Sequence, residues 1–272
     1  MVALFIVIFI AGLSVLLYPI VSDYINSVRQ AQVVREYFQA MENLTERDFT
    51  ELFEAANEYN EKLRRTHNRF VMSEEEFAEY KNLLNPLGLD VLGTLEIGVI
   101  DIHLPIFHGT DEGVLQVALG HLEGTSLPVG GEGTHAAITG HRGLPSSTLL
   151  TNLDRMVIGD TFNIHVLNKT LTYRVDQIMI VLPHETEELA IIEDADMVTL
   201  ITCTPYGINT HRILVRGQRT NVGEFGRPET LPSGARLLTE SRFALLLIIP
   251  FAIIVTLILF IRLRRIYGRG KK

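Results

Sequence analysis

Residues 199–217 read TLITCTPYGINTHRILVRG. An apolar, β-branched run ends at Cys203, turn-forming Pro, Gly and Asn follow, and HRILVRG resumes the apolar pattern. Two such runs split by turn residues read as neighbouring strands. Adjacent residues on a strand point to opposite faces. If Arg212 faces the thiol, His211 faces away. Cys203 is the only cysteine among 272 residues, so it has no internal disulfide partner. It is an apolar filler, a reactive thiol, or half of an intermolecular bridge.

Working outward, TLEIGVI, LPIFHG, HAAITGH, TFNIHVL, LTYRVDQIMIVL and MVTLITC are further strand-like pieces, separated by Gly, Pro, Asn and Asp. The alternating faces of LTYRVDQI suit an antiparallel sheet. Many short strands at close spacing predict a closed barrel or a sandwich. Upstream, residues 29–65 read as helix, with Phe49, Leu52, Phe53, Ala56 and Leu63 at helical spacing. Thr45 with Asp48, and Ser73 with Glu76, have the spacing of helix starts. These Glu-rich helices read as a solvated arm, or as an arm packed over the thiol.

Two uncharged runs bracket this region: VALFIVIFIAGLSVLLYPI at residues 2–20 and FALLLIIPFAIIVTLILFI at 243–261. Each has about the ~20 residues that a helix needs to cross a bilayer core. Pro250 is tolerable in such a span. Arg262, Arg264, Arg265, Arg269, Lys271 and Lys272 follow the second run. Basic flanks stay in the cytoplasm, so the C-terminus is expected inside and the intervening domain outside. The first run lacks a basic leader and a clear cleavage site, and reads as a retained anchor, with a removed signal as the alternative. The chain carries a net charge of −8, and the six basic residues of the tail leave the rest at about −14. An acidic outer domain argues against a nucleic-acid partner.

The expected organisation is an anchor or signal at 1–22, a helical arm and possible lid at 23–90, and a β-barrel at 91–222. A Gly- and Pro-rich linker covers 223–240, a transmembrane helix 241–262 and a basic tail 263–272.

A thiolate is the nucleophilic form of cysteine, and a free thiol has a pKa of ~8.5. A neighbouring imidazolium or guanidinium favours the anion. Cleaving an amide also needs a proton donor for the departing amine, usually His, and a donor for the tetrahedral oxyanion. Arg212 suits the last role, because it is always charged and has several N–H donors. The chain has nine histidines, so residue chemistry alone leaves the acid/base open. An inert buried thiol is the plainer alternative.

TLITCTPYGINTHRILVRG closely resembles the TLxTC…R active-site segment of the sortases, and TPYGxNTHRxxVRG is similar to the pilus-assembling class C group. The resemblance extends through HGTDEGVLQVALGHLEGTSLPVGGEGTHAAITGHRGLPSSTLLTNLD, residues 108–154, and VDQIMIVLP, 175–183. It implies a mainly β fold: a closed barrel of about eight strands with N-terminal and peripheral helices, here flanked by two hydrophobic spans. It implies Cys203 as nucleophile, His141 in ITGHRGLPSS as the histidine, and Arg212 as the arginine. His135 and His211 then read as structural or surface residues, and His103, His108 and His121 lack metal-ligand spacing.

The reaction implied is transpeptidation without metal or cofactor. The thiolate attacks the Thr–Gly carbonyl of an LPxTG-like sorting signal, and an amine resolves the thioester. Implied partners are pilin subunits bearing that signal, an acceptor lysine on a pilin, and the membrane. Attachment to a cell-wall precursor amine, a hydrolytic protease and a non-catalytic pilin-docking adaptor are the alternatives. One departure stands out. Class C enzymes usually carry a lid with an Asp-Pro-aromatic triplet, and this chain has no Asp-Pro pair. The matching region, THNRFVMSEEEFAEYKNLLNP, offers Phe70, Met72 and Phe77, so an absent or altered lid is expected.

Overall fold

The computed structural model describes residues 2–86, 88–220 and 258. Helices α1 (Val2–Met41), α2 (Glu46–Arg64) and α3 (Glu74–Asn82) precede strand β1 (Val91–Ile97). Then come β2 (Ile102–His108), the short helix α4 (Glu112–Leu115), β3 (Leu119–His121) and β4 (Thr134–Thr139). The chain continues through β5 (Thr161–Val166), β6 (Lys169–Val181), β7 (Asp196–Thr204) and β8 (His211–Arg219). Residues 235–272 form a separate unit, of which Ile258 alone is described, as helix. Apart from Ile258, the expected second span lies outside the described residues, as do the linker and the basic tail.

The eight strands close into a barrel in the order β1-β2-β3-β4-β7-β8-β6-β5. Seven of them fall on the strand-like pieces read from the sequence. The eighth, β3, is three residues long and pairs in parallel with β2. A strand so short has no alternation to detect. β4 and β7 are also parallel, whereas β6, with its alternating pattern, is antiparallel to both neighbours.

Alternation on β7 separates two apolar clusters. Val198 and Leu200 point into the main core with Leu95, Ile106, Ile138, Phe162 and Val215. Ile201 faces the other way and joins Ala137, Leu189 and Leu214 in a small outer cluster. A fully buried side chain of this kind stabilises by about 1.5–3 kcal/mol. The outer cluster also gives the exterior of the barrel an apolar floor, on which the candidate site rests.

The helical arm follows its sequence signals closely. Both expected capping boxes are formed: Thr45 with Asp48 at α2, and Ser73 with Glu76 at α3. Phe49, Phe53, Ala56, Tyr59 and Leu63 form the buried stripe of α2. Asn60, also buried, exchanges two hydrogen bonds with Leu127, Nδ2 to O at 3.1 Å and N to Oδ1 at 2.7 Å. Such pairing satisfies groups that would be costly to bury alone.

α1 runs unbroken through 40 residues, about 60 Å at the helical rise. None of its described residues over 4–26 is buried, and the helix is long and apolar enough to cross a membrane. From Ser27 onward a buried stripe begins: Gln30, Ala31, Val34, Tyr37 and Met41. Tyr37 Oη accepts from Leu167 N at 2.6 Å and donates to Leu92 O at 3.3 Å, fastening the helix to the barrel.

Candidate active site

His141, Cys203 and Arg212 line one open cavity of about 310 Å³. Strand register sets two of them. Cys203 lies opposite Arg212 across the β7–β8 ladder, two positions beyond the Ile201–Leu214 pair on the same face. Arg212 Nη1 donates to Asn209 O at 3.2 Å and to His211 O at 3.0 Å, which ties its guanidinium to the connecting turn. His211 is absent from the cavity wall, as alternation requires. Its Nδ1 meets Thr210 Oγ1 at 2.9 Å.

The third residue arrives from β4. Thr139 stands beside Ile201 in the parallel β4–β7 ladder. Gly140 N then donates to Ile201 O at 3.1 Å, and Thr202 Oγ1 donates to Gly140 O at 2.7 Å. Gly140 packs closely on the core: a Cβ there would stand 2.6 Å from Leu119 Cδ2, which would have to shift. The chain is thereby pinned one residue before His141, on the strand that carries Cys203.

His141 Nε2 lies 3.7 Å from Glu112 Oε2 on α4, while Glu112 Oε1 accepts from Gln116 Nε2. Arg142 forms an ion pair with Asp154, and its Nη1 reaches Thr204 Oγ1 at 3.4 Å. Its guanidinium carbon also stands 5.7 Å from the Tyr206 ring centre. Arg142 thus braces the His141 loop against the end of β7. Sequence reading missed both neighbours. Glu112 falls within a quoted block, but nothing in its spacing to His141 signals proximity, because β3 and β4 intervene. Arg142 adjoins His141, yet adjacency alone gives no direction.

Of the histidines set aside in the sequence, His135 is buried, with Nδ1 meeting Ala190 O at 2.9 Å and Nε2 meeting Thr199 Oγ1 at 2.7 Å. His121 is buried between Tyr80 Oη at 2.9 Å and Ser126 O at 2.8 Å. Burial lowers the pKa of each to about 4, leaving both neutral. Among the described residues no group of His, Cys, Asp and Glu is arranged to hold a metal ion.

The cavity wall also includes Val181 at the end of β6, and Leu182, Pro183, Glu185, Thr186 and Leu189 after it. No lining residue precedes Thr110. The segment holding Phe70, Met72 and Phe77 lies elsewhere. Arg69 Nη2 donates to Leu189 O at 2.6 Å from behind the wall, and Met72 and Phe77 pack on the main core.

Residues 95–220 match the sortase domain family. Sortase C1 from Streptococcus agalactiae is 42% identical, with a TM-score of 0.69 covering 71% of this chain and all of that one. The chain belongs to the class C sortases. Sortase C of Streptococcus pneumoniae is 41% identical, with a TM-score of 0.63 over 70% of this chain and 96% of that structure. Sortase C of Clostridium perfringens, with the C-terminal cell wall sorting motif, is 41% identical, with a TM-score of 0.59 over 70% and 99%. Sortase A of Streptococcus agalactiae serotype III (strain NEM316) is 29% identical over 141 residues, 51% of this chain. That match spans little more than half of the relative, 56% of its length. The sortases are cysteine transpeptidases, and the barrel of this sortase is the family's closed β fold.

Proposed function

We propose that this sortase is a membrane-anchored transpeptidase that joins pilin subunits through an LPxTG-like sorting signal. The observation that carries the reading is the shared cavity: the only cysteine, His141 and Arg212 line one opening. Pilin specificity is named for the pneumococcal sortase C, and a sorting motif for the C. perfringens enzyme. Both relatives are about 41% identical to this chain.

In the proposed cycle, the Cys203 thiolate attacks the Thr carbonyl carbon of the Thr–Gly bond. The oxygen becomes an oxyanion, which the N–H groups of Arg212 stabilise. The C–N bond breaks as the His141 imidazolium protonates the leaving glycine amine. A thioester on Cys203 remains. A lysine ε-amine of the next pilin then attacks that thioester and gives up a proton to His141, and the thiolate leaves. The product is an isopeptide bond, and Cys203 returns to its initial state.

The apolar part of α1 anchors the enzyme in this reading, with the barrel outside the cell and the C-terminus in the cytoplasm. Confinement to the membrane raises the effective concentration of anchored substrates around the site.

The test is intact-mass measurement of the enzyme mixed with a sorting-signal peptide, followed by an acceptor. An adduct of the peptide minus its leaving segment, absent in Cys203→Ala, is the expected result. Resolution by a pilin lysine supports polymerisation. Resolution only by a cell-wall-type amine supports surface anchoring, and release as free acid alone supports hydrolysis. No adduct at all overturns the catalytic reading.

A further inference from the structure

Asp23, Asn26 and Gln30 recur on one face of α1, at the spacing that aligns side chains along a helix. All three bond to the loop that begins at His141. Asp23 Oδ1 accepts from Thr148 N at 2.7 Å and from Thr148 Oγ1 at 3.1 Å. Asn26 Nδ2 donates to Ser146 O at 2.8 Å. Gln30 Nε2 donates to Ser147 Oγ at 3.2 Å and to Val117 O at 2.6 Å. Val117 immediately follows the C-cap of α4, the helix whose Glu112 faces the His141 ring. One amide on α1 therefore grips both segments that surround the imidazole.

The contact is buried at its Gln30–Ser147 end and exposed at Asp23–Thr148. Gln30, Ser27, Ala31 and Ser147 are all buried. The loop is closed on itself as well: Leu150 N donates to His141 O at 3.3 Å, and Gly143 N to Thr151 Oγ1 at 3.1 Å. A pull at Ser146–Thr148 is thus transmitted to His141 through a short, cross-linked turn. Cys203 and Arg212 sit on β7 and β8, held by the ladder itself. Asp23, Asn26 and Gln30 reach residues 117 and 146–148 and not those two strands.

The location along α1 adds a second point. The uncharged stretch of the helix ends just before Asp23, which follows Ile20 by three residues, about 4.5 Å of helical rise. The grip on the His141 loop starts where the helix leaves its apolar segment.

We propose that Asp23, Asn26 and Gln30 form a positioning clamp that sets the His141 imidazole against Cys203 and ties that setting to the anchor helix. The inference rests on the reading of His141 as acid/base. Proton transfer requires a heavy-atom separation within hydrogen-bond reach, and small misplacement costs large factors in rate. Loss of the clamp therefore lowers turnover, while the cavity walls that bind peptide stay unchanged.

The experiment uses the full chain in detergent micelles with a sorting-signal peptide. It compares wild type with Asp23→Ala, Asp23→Asn and Gln30→Ala. We expect Asp23→Ala and Gln30→Ala each to lower kcat for thioester formation by about tenfold, with KM within twofold. Asp23→Asn keeps the Oδ1 acceptor and restores kcat to within about threefold of wild type. Amide hydrogen exchange quickens over residues 141–148 in Asp23→Ala and stays unchanged on β7. The pH–rate profile of Asp23→Ala shifts, because the imidazole's surroundings change. An unchanged kcat and pH profile overturn the clamp. So does a loss of kcat that follows thermal stability and is not recovered by Asp23→Asn, since a general structural role predicts it. A wild-type rate in His141→Ala overturns the acid/base reading itself and is distinguishable from both.

Discussion

Cys203 and Arg212 face each other across the β7–β8 ladder, so the thiol and the guanidinium share one face of the sheet without any loop to place them. The pair stands above an apolar floor of Ile201 and Leu214. Arg212 is also bound at Nη1 by the carbonyls of Asn209 in the turn and His211 at the start of β8, which fixes part of its fork.

The substitution Arg212→Lys tests this arrangement. A lysine keeps the charge but loses the planar set of donors. Removing a donor to a developing oxyanion typically costs about 10²–10³ in kcat. We expect Arg212→Lys to fall in that range, measured as the rate of thioester formation. Near-normal turnover would remove Arg212 from the chemistry.

His141 and Glu112 are separated by the size of their effects. General acid–base catalysis contributes about 10²–10⁴-fold, so His141→Ala should lose acyl transfer by that order. Glu112 is largely exposed and 3.7 Å from the ring. An exposed pair of this kind is worth at most about 1 kcal/mol. Glu112→Gln should therefore change kcat by about fivefold or less. A larger loss would give Glu112 a direct part in proton transfer.

The open cavity predicts an accessible thiol. No lining residue precedes Thr110, and Cys203 is half-buried. Iodoacetamide should label Cys203 in the folded chain as fast as in an Arg69→Ala variant, which frees the segment bound to Leu189. Slow labelling that accelerates in Arg69→Ala would show that residues 66–72 shield the site.

The barrel was legible where local chemistry carries it. Seven strands were readable as strand-like pieces separated by Gly, Pro, Asn and Asp, and both capping boxes formed at Thr45 and Ser73. Cys203 and Arg212 were readable as neighbours because one turn joins their strands. His141 was not reachable from residue chemistry, because a parallel β4–β7 pairing brings it in across more than sixty residues. It came only from resemblance. The grip of α1 on the His141 loop was invisible for the same reason. Asp23, Asn26 and Gln30 look like ordinary polar residues at the end of an apolar run until the loop is packed against them.

Part of the stability against acid comes from buried histidines outside the chemistry; burial lowers the pKa of His108 as well as of His121 and His135. His121 and His135 are buried and neutral, with pKa lowered from 6.5 to about 4, chiefly by desolvation. Between pH 6.5 and 4 the unfolded chain binds protons at these rings and the native chain does not. Stability is then fully present above about pH 6.5 and is lost as pH falls toward 4. Each ring contributes roughly 3 kcal/mol to that loss at 1.36 kcal/mol per unit. Asp196 opposes this at the acid end, because burial raises its pKa and the native state gains its proton first. Chemical denaturation at a series of pH values should show a steep decline below pH 6.5. In His135→Gln we expect lower stability at pH 7, because the pairing with Ala190 O and Thr199 Oγ1 is disturbed. The decline between pH 6.5 and 4 should also become shallower, because one of the rings that the unfolded chain protonates before the native chain does is gone. An unchanged slope would mean that His135 is already accessible to protons in the native fold.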